Sequence, residues 1–422
     1  MSRLNQLIEE LCPNGVEYRT LEELGTFYGG LSGKSKNDFE NGNSKFITYV
    51  NIFNNPDLKI DVPEKVYIAE GEKQNTIEYG DVLFTGSSET PEECGMSSVL
   101  TQRTDEKLYL NSFCFGFRLN DKTILIPDFC KYVFRSDDLR KQLKKTANGV
   151  TRFNVSKQKM AFVKIPVPPI EVQNEIVRIL DSFTKLNYEL NNELALRKKQ
   201  YEYYRDKLLN YENTTTIKAL KDTCDMKAGK AIKSTEISTV QDEKFPFKCY
   251  GGNGIRGYVS EKSHSGEFPI VGRQGALCGN VNYAEGDFYA TEHAVVVKSK
   301  GEYLPKFLFY MLTAMNLNQY KSQGAQPGLA VGNLEKLEAP VPPLDVQKRI
   351  VEVLDNFDKV CNDLNIGLPA EIEARQKQYE FYRDSLLTFT QKGEIIASQS
   401  VSQSVSQSVS QSVSQSVSQS VS

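Results

Sequence analysis

PVPPIEVQNEIVRILDSF, at residues 166–183, returns almost unchanged as PVPPLDVQKRIVEVLDNF at residues 340–357. A second pair follows the first: KQYEYYRDKLL at 199–209 matches KQYEFYRDSLL at 377–387. The first motif repeats after 174 residues and the second after 178, so the second copy carries four extra residues between them. The chain is therefore a tandem duplication, and each copy contains its own version of this helical segment.

Apolar residues in this segment recur at alternating steps of four and three, which is the spacing of a coiled-coil seam. In the first copy the seam residues are Ile176, Leu180, Phe183, Asn187, Leu190, Leu194, Arg197, Tyr201, Tyr204 and Leu208. The second copy differs by two successive steps of four, at Leu364, Leu368 and Ile372. Four residues add about one turn, so the insertion predicts a longer helix with nearly the same face. Pro369 makes a local break the alternative.

Each PVPP run excludes a helix and must end the element before it. A forty-residue helix at ~1.5 Å per residue would be about 60 Å long. Neither helix has another seam nearby in sequence, so each is predicted to pair with the other in antiparallel fashion. The alternative, two amphipathic helices that pack only on their own domains, stays open.

Composition bounds the class of protein. The chain has 422 residues, 39% of them hydrophobic, and a net charge of −3, which neither favours nor excludes nucleic acid. Its eight cysteines are at least sixteen residues apart, without a CxxC pair, so reduced thiols are expected. No run of eighteen apolar residues occurs and polar residues follow Met1, which predicts a cytoplasmic protein without a membrane partner.

The two copies share one plan, which predicts an α+β chain. Strand-like runs (KFITYVNIF, KVYIA, GDVLFT and SFCFGFRL; later FKCYGG, GYVS, FPIVG, GNVNYA and HAVVVKS) precede the helical runs FCKYVFRSDDLRKQLKK and PKFLFYMLTAMNLNQY. A loop with glycine follows in each copy, TANGVTRFNV and SQGAQPGLAV. The predicted segments are a β-rich domain at 1–165, a helical spacer at 166–211, a second β-rich domain at 212–339, a second spacer at 340–392 and a tail at 393–422.

The ends of the chain resemble its middle. VEYRTLEEL at 16–24 is similar to TIKALKDTC at 216–224, so joining the end to the start would roughly recreate the middle. The tail repeats Ser, Gln and Val without charge, which predicts disorder. The tetranucleotide TCAG read continuously encodes this repeat, so the gene is hypothesised to end in a slippage-prone tract that changes the C-terminus. A twelve-nucleotide unit is the alternative.

No motif for covalent chemistry is evident, so no catalytic residue and no metal ligand is predicted. GGLSGKS at 29–35 is one residue short of a phosphate loop, and Lys34 is instead a candidate phosphate contact. His264 and His293 lack the spacing of a zinc site, and His293 is a candidate hydrogen-bond donor to DNA.

Positive charge is concentrated between Arg135 and Lys164, a segment with nine basic and two acidic residues. Lysine anchors phosphate, arginine or lysine suits guanine, and asparagine or glutamine suits adenine. The predicted DNA-binding residues of the first half are Lys34, Lys141, Lys144, Lys145, Asn148, Arg152 and Asn154. Those of the second half are Lys227, Lys230, Asn253, Arg256, Arg273, Gln274, His293, Lys321, Gln323 and Gln326. The alternative is an ordinary solvated helix face.

Together these stretches resemble the DNA-specificity subunit of type I restriction–modification systems. The resemblance is carried by the two repeated helical regions, by CPNGVEY, by GDVLFTGSSETPEECG at 80–95, by FPIVGRQGALCGNVNYAEGDFYATEHAVVV at 268–297 and by GAQPGLAV at 324–331. It covers nearly the whole chain apart from the tail.

The resemblance implies two pseudo-repeated, β-rich target-recognition domains, inverted at opposite ends of two long antiparallel coiled-coil helices. Each domain would read one half of a bipartite, asymmetric site on double-stranded DNA. The spacer would set the gap and dock two methyltransferase subunits, and restriction (translocase) subunits would complete the complex.

S-adenosylmethionine, ATP and Mg²⁺ would belong to those partner subunits, so the resemblance implies a non-catalytic chain without its own cofactor. The four-residue asymmetry and the tail depart from the family pattern. Two alternatives stay open: a two-lobed scaffold that binds proteins without DNA specificity, and a stand-alone restriction or modification enzyme.

Overall fold

The computed structural model describes residues 3–210, 216–275, 277–322 and 327–391. The predicted disordered tail at 393–422 lies outside these residues, as do Gln323 and Gln326. Within the described ranges, no helix combines the length and the apolar character needed to cross a membrane.

The first domain is built from short strands and helices. Its helices are α1 (Arg3–Leu11), α2 (Leu21–Leu24), α3 (Lys36–Glu40), α4 (Tyr49–Asn54), α5 (Pro127–Val133), α6 (Asp137–Thr146) and α7 (Lys157–Met160). Its strands are β1 (Glu17–Thr20), β2 (Gly25–Gly29), β3 (Ser44–Ile47), β4 (Lys65–Val66), β5 (Thr76–Ile77), β6 (Val82–Thr85), β7 (Ser87–Ser88), β8 (Ser97–Val99), β9 (Leu108–Leu110), β10 (Cys114–Leu119), β11 (Ala147–Asn148), β12 (Phe153–Val155) and β13 (Lys164–Val167).

A single helix, α8 (Ile170–Leu209), follows and spans forty residues. The second domain then has helices α9 (Leu220–Thr223), α10 (Pro305–Ala314) and α11 (Val331–Leu334) and 3₁₀ turns at Ser234–Glu236 and Leu317–Tyr320. Its strands are β14 (Ile217–Ala219), β15 (Cys224–Ala228), β16 (Phe247–Gly251), β17 (Gly254–Val259), β18 (His264–Ser265), β19 (Phe268–Gly272), β20 (Val281–Ala284), β21 (Asp287–Ala290), β22 (Ala294–Ser299) and β23 (Glu338–Pro340). The last helices are α12 (Leu344–Asn362) and α13 (Leu368–Leu386).

The two domains have the same central sheet. Its strand order is β2-β10-β6-β8 in the first domain and β15-β22-β19-β20 in the second. In each domain the entrance strand pairs antiparallel with the strand that leads into the PVPP run, β1 with β13 and β14 with β23. The predicted duplication and the predicted α+β class are confirmed.

Three runs fold differently from their sequence-based prediction. KFITYVNIF is a strand only to Ile47 and continues as helix α4, because Thr48 Oγ1 caps the helix by accepting from the Asn51 amide at 3.3 Å. The run from 129 to 145 is split between α5 and α6 at Ser136, and the run from 305 to 320 ends its helix at Ala314.

The chain forms two compact units, and each contains an antiparallel helix pair. Among the described residues, the first unit holds the first domain, α8 as far as Tyr188 and residues 374–391. In it the Phe183 and Tyr382 rings stack at 5.2 Å, and Asn187 donates to Gln376 at 3.4 Å. As residue numbers rise along α8 they fall along α13, so this pair is antiparallel.

The second unit holds residues 189–373, with the rest of α8, the second domain and α12. The Tyr204 and Phe357 rings stack at 5.7 Å, and Leu208 and Leu209 pack in the same core as Ile350 and Leu354. The order of these contacts is antiparallel again. The predicted antiparallel pairing is therefore present inside each unit.

The distal helix is broken, which corrects the prediction that the four-residue insertion extends it. Residues 363–367 form a turn between α12 and α13, and Leu364, predicted in the seam, is 74% exposed. Asp363 Oδ1 accepts the amide hydrogens of Asn365 and Ile366, and Pro369 is the second residue of α13, where proline is tolerated. The insertion is thus absorbed by a turn.

A buried glutamine attaches each domain to its helix. Gln173 Nε2 donates to the carbonyls of Ile124 and Pro168 at 2.8 and 2.7 Å, and its Oε1 accepts from the Ile126 amide at 3.0 Å. The bond from the Ile126 amide satisfies the N-cap residue of α5, whose own side chain makes no cap.

The second copy reproduces this arrangement. Gln347 Nε2 donates to the carbonyls of Glu302 and Pro342, both at 2.8 Å, and its Oε1 accepts from the Leu304 amide at 2.8 Å. Both glutamines are fully buried. The repeated glutamine is therefore explained by its contacts.

A tyrosine–aspartate hydrogen bond fixes the next turns. Tyr132 donates to Asp181 and Tyr310 donates to Asp355, each at 2.5 Å. Burial, reinforced by the neighbouring carboxylate, raises the pKa of both tyrosines. The repeated aspartate therefore has a structural role in both copies.

Candidate nucleic-acid interface

Three backbone segments meet at one edge of the first domain, and hydrogen bonds hold them together. The amide of Asn111 donates to Ile47 at 3.0 Å, which joins the end of β3 to the turn after β9. The amide of Gly86 donates to Phe113 at 2.9 Å, and the amide of Val155 donates to Gly86 at 3.0 Å. The segment after β6 is thus held between the turn before β10 and the β11–β12 hairpin.

The second domain has the same three bonds at equivalent positions. Thr291 donates to Tyr250 at 2.9 Å, Arg273 to His293 at 3.0 Å and Leu329 to Arg273 at 2.9 Å. This correspondence pairs Phe113 with His293 and Gly86 with Arg273. We refer to the two sets of segments as the first and second recognition edges.

A cleft of about 580 Å³ opens at the first recognition edge. We call it the first cleft; its lining residues are Tyr49, Val50, Phe53, Asn54, Ser87, Ser88, Glu89, Glu93, Phe113 and Arg152. The Tyr49 and Phe53 rings stack at 6.0 Å, and Phe113 is 67% exposed. Aromatic rings, an arginine and two carboxylates that line one cleft can contact the edges of nucleic-acid bases.

Two arginines of the basic run are partly buried and bond to segments that line this cleft. Arg135 donates to the carbonyls of Ile52, Phe53 and Ser97 at 2.5 to 3.0 Å, and burial lowers its pKa to about 10. It therefore holds the end of α4, one wall of the first cleft, in place.

Arg140 holds the segment that contains Glu93, another lining residue of the first cleft. It donates to the carbonyls of Glu92, Cys94 and Gly95 at 2.6 to 2.8 Å, and burial lowers its pKa. The excess of basic charge seen in the sequence is thus partly structural, because these two guanidinium groups face backbone carbonyls.

The other basic residues predicted in this region differ in their surroundings. Lys141 pairs with Asp137 at 2.5 Å, and Lys144 pairs with Glu92. Lys34 is mostly buried, with its Nζ 2.6 Å from Glu72. Among the described residues, Lys145 and Arg152 have exposed side chains without an ion pair.

The two predicted asparagines lie on the hairpin beside the first cleft. Asn148 Oδ1 accepts from Lys159 at 2.8 Å, and Asn154, exposed on β12, is paired through its backbone with Ser87. Of the predicted residues in this domain, Arg152 lines the cleft and both asparagines adjoin it.

The second recognition edge brings together four predicted residues that are up to forty positions apart in sequence. They are Asn253, Arg273, Gln274 and His293. A Cβ on the intervening Gly252 would lie 3.3 Å from the Gln274 carbonyl and 3.5 Å from the His293 carbonyl, so the backbones are in close contact. Asn253 Oδ1 accepts from Asn280 at 2.9 Å.

Polar atoms at this edge are buried without a partner. They are Arg273 Nε, Glu292 Oε2 and His293 Nδ1, although His293 Nε2 lies 3.2 Å from Glu292 Oε1. Buried polar atoms without partners are rare in folded proteins, and such atoms often mark sites that bind ligands. The edge therefore has unused hydrogen-bonding capacity.

The remaining predicted residues of the second domain lie beside this edge or away from it. The Lys230 amide donates to Ala290 at 3.0 Å, and Lys321 precedes Ser322, whose amide donates to Gly328 at 2.8 Å, so both adjoin it. Lys227 lies on β15, and Arg256, on β17, donates to Ser234 at 3.1 Å. Neither is among the residues that form the edge.

Sequence reasoning missed most of the first cleft because it searched for positive charge. Tyr49, Phe113, Glu89 and Glu93 were not predicted, although Phe113 corresponds to His293. Aligning LNSFCFGF with ATEHAVVV would have given this correspondence. Among the described residues, no group of three or more His, Cys, Asp or Glu side chains is arranged to hold a metal ion.

Comparison with known proteins identifies the class. The family model described as "Type I restriction modification DNA specificity domain" matches residues 13–196 and 212–374, one match for each copy. The chain therefore belongs to the DNA specificity family of type I restriction–modification systems.

Individual relatives agree with this assignment. The chain is similar to the EcoprrI type I specificity subunit of Escherichia coli, with 50% identity over 206 residues, 47% of this chain and about half of that relative (51%). It is also similar to a putative type I specificity subunit of Mycoplasma pneumoniae, with 34% identity over 55% of this chain and 99% of that protein.

Solved structures have the same fold. A crystal structure of the type I restriction–modification S subunit from M. genitalium matches with a TM-score of 0.53 and 15% identity, covering 88% of this chain and 96% of that one. A structure from work on complex assembly and conformational transition of the type I system matches with a TM-score of 0.62 and 17% identity, covering 91% and 99%.

Proposed function

We propose that this chain reads a bipartite, asymmetric site on double-stranded DNA, with one half-site for each target-recognition domain. The proposal is supported by one observation. The two domains are attached to their helices by matching hydrogen bonds, but their recognition edges have different side chains. Gln173 and Gln347 make matching contacts, whereas Phe113 and Arg273 stand where the other domain has His293 and Gly86. A protein that reads two different half-sites needs two domains that are attached in the same way and have different side chains at their recognition edges.

Binding would combine a general electrostatic part with a sequence-specific part. Exposed lysines such as Lys145 and Lys230 would contact phosphates, so affinity would fall steeply with salt. Arg152, Asn148 and Asn154 in the first domain would face bases or phosphates near the first cleft. Arg273, Gln274, Asn253 and His293 would do so at the second recognition edge.

The proposed partner subunits are inferred from a pair of equivalent exposed aromatic residues in the two repeated helical motifs. Tyr203 and Phe381 occupy equivalent positions in the two YRD motifs and are 60% and 61% exposed. Exposed aromatic residues are enriched at protein interfaces. We propose that the two positions dock two copies of one methyltransferase subunit, with restriction subunits joining that complex.

In this scheme the chain itself is non-catalytic and works in the cytoplasm. S-adenosylmethionine, ATP and Mg²⁺ would be bound by the partner subunits, and this chain would select and orient the DNA. The scaffold alternative, which binds proteins without reading DNA, differs in its predicted outcome below.

Methylation profiling of host DNA, with and without this chain, tests the proposal. The expected result is one bipartite motif with methylated adenine that disappears when the chain is deleted. Persistence of every methylated motif after deletion would favour the scaffold alternative.

The spacer has its own test. Adding or deleting four residues around Leu194–Leu196, within α8, should change the preferred gap between the half-sites and leave the half-sites unchanged. A changed half-site with an unchanged gap would contradict a spacer role.

A further inference from the structure

The first cleft holds charged side chains of both signs that do not pair with each other. Arg152, Glu89 and Glu93 line the cleft, and their side chains make no ion pair within the described part of the chain. Neighbouring charges are neutralised differently: Glu92 pairs with Lys144, and Arg140 bonds to backbone carbonyls. The charged groups of the cleft therefore remain available for a ligand.

The signs of these charges limit what that ligand is. A carboxylate repels DNA phosphates, so two carboxylates in a cleft that faces DNA lower affinity unless they accept hydrogen bonds from bases. In the major groove, the N4 amino group of cytosine donates to carboxylates, and guanine offers O6 and N7 to a bidentate arginine. A G·C base pair presents both groups side by side.

We propose that the first target-recognition domain reads a G·C pair of its half-site at the first cleft. Arg152 contacts guanine O6 and N7, and Glu89 or Glu93 accepts from the N4 amino group of the paired cytosine. The exposed ring of Phe113 lies in the same cleft and provides apolar contact with a flanking base. This inference rests on the proposed function and adds the identity of one base pair.

An independent observation in the second domain points to the same place. There Arg273 Nε, Glu292 Oε2 and His293 Nδ1 are buried without partners at the second recognition edge. Arg273 and His293 occupy the positions of Gly86 and Phe113. An arginine, a carboxylate and a ring thus converge at both edges, although the arginine and the carboxylate come from different segments.

The experiment begins with the wild-type complex, whose methylation profile defines both half-sites. Competition between the cognate duplex and duplexes with one base pair replaced then gives a discrimination ratio at each position. Arg152→Ala should lower this ratio roughly 5- to 150-fold at one G·C pair of one half-site and leave the other half-site unchanged.

The carboxylates are tested by charge removal without a change of shape. Glu89→Gln or Glu93→Gln should lower discrimination at the same G·C pair while raising affinity for non-cognate duplexes, because a repulsive charge is lost. If both variants raise affinity for every duplex by the same factor, the carboxylates do not read a base and their role in the proposal is wrong.

Lys145→Ala is the matched control, since Lys145 is an exposed cation near Arg152 in sequence and outside the cleft. It should weaken all duplexes by one common factor and leave every discrimination ratio unchanged. If Arg152→Ala behaves in this way too, Arg152 contacts only phosphate and the inference is overturned.

The two levels of the proposal fail differently. A wild-type complex that yields no methylated motif contradicts the proposed function itself. Two results contradict only this inference. The half-site read by the first domain lacks a G·C pair, or Arg152→Ala leaves every discrimination ratio unaltered. Arg152→Lys, which keeps the charge and loses the bidentate geometry, should also lower the ratio, and thermal unfolding of each variant checks its fold.

Discussion

The two target-recognition domains agree where they join their helices and differ where they face outward. Gln173 and Gln347 make the same three hydrogen bonds, and Tyr132 and Tyr310 make the same bond to an aspartate. At the recognition edges the backbone bonds are again equivalent, yet the position of Phe113 in the first domain is occupied by His293 in the second. The duplication thus preserves the contacts that position a domain and varies the side chains that could read a base.

The largest expected effect on stability tests whether Gln173 and Gln347 attach their domains in equivalent ways. Gln173→Leu and Gln347→Leu should each lower the free energy of unfolding by about 3 kcal/mol, because each leaves a buried amide hydrogen and two carbonyls without partners. Urea denaturation measures this. Gln158→Ala, at an exposed position on α7, is the control and should change stability by less than about 0.5 kcal/mol. Clearly unequal losses for the two glutamines would contradict equivalence.

The tyrosines should give the next largest effect. Tyr132→Phe and Tyr310→Phe each remove a hydrogen bond to a carboxylate and should cost about 1.5–3 kcal/mol near neutral pH. Tyr188→Phe, at an exposed position on α8, should be nearly neutral.

The same tyrosines predict a pH dependence. Their pKa values are raised in the folded protein, while an unfolded tyrosine loses its proton near pH 10. Their contribution to stability is therefore complete below about pH 10 and decreases as the pH rises further. Unfolding followed between pH 8 and 11 should show this decrease, and it should be shallower in the phenylalanine variants. Equal slopes would show that these hydroxyls do not set it.

The turn between α12 and α13 distinguishes the second copy from the first. A Cβ at Gly367 would lie 2.4 Å from the Lys359 carbonyl and 2.6 Å from that of Asp363. Gly367→Ala should therefore destabilise the second unit by about 1–3 kcal/mol, since backbone must move. Gly332→Ala, whose Cβ would contact nothing, is the control and should be neutral or slightly stabilising. Thermal unfolding compares the two, and equal Tm values would mean that the turn tolerates a side chain.

The smallest effect on stability should come from exchanging the rings at the recognition edges. Phe113→His places the second domain's ring in the first domain at an exposed position, so the free energy of unfolding should change by less than about 0.5 kcal/mol. The methylated half-site assigned to the first domain should nevertheless change. An altered stability with an unaltered motif would make Phe113 a structural residue.

Sequence patterns predicted the elements with the strongest periodicity. The helix from Ile170 to Leu209, the strands around Val82 and Ile270 and the repeated architecture follow from spacing and composition alone. The turn at Asp363 was harder, because a four-residue insertion is compatible with both a longer helix and a break. Local hydrogen bonds to Asp363 and the close contact at Gly367 select the break.

The candidate site was only partly predictable. The basic run in the sequence pointed to Arg152, but it also includes Arg135 and Arg140, whose guanidinium groups bond to backbone carbonyls. Periodicity carries no information on which loops meet, so the aromatic and acidic residues of the first cleft were not found.

The amino-acid sequence by itself determined the duplication, the long helix of the first copy and the family, since these depend on spacing and residue type. Only the tertiary structure decided which residues form the recognition edges. Asn253, Arg273 and His293 are distant in sequence and become neighbours because strands β16, β19 and β21 end, and β22 begins, at one edge of the second domain. Such neighbourhoods depend on strand pairing across long sequence separations, which no local pattern records.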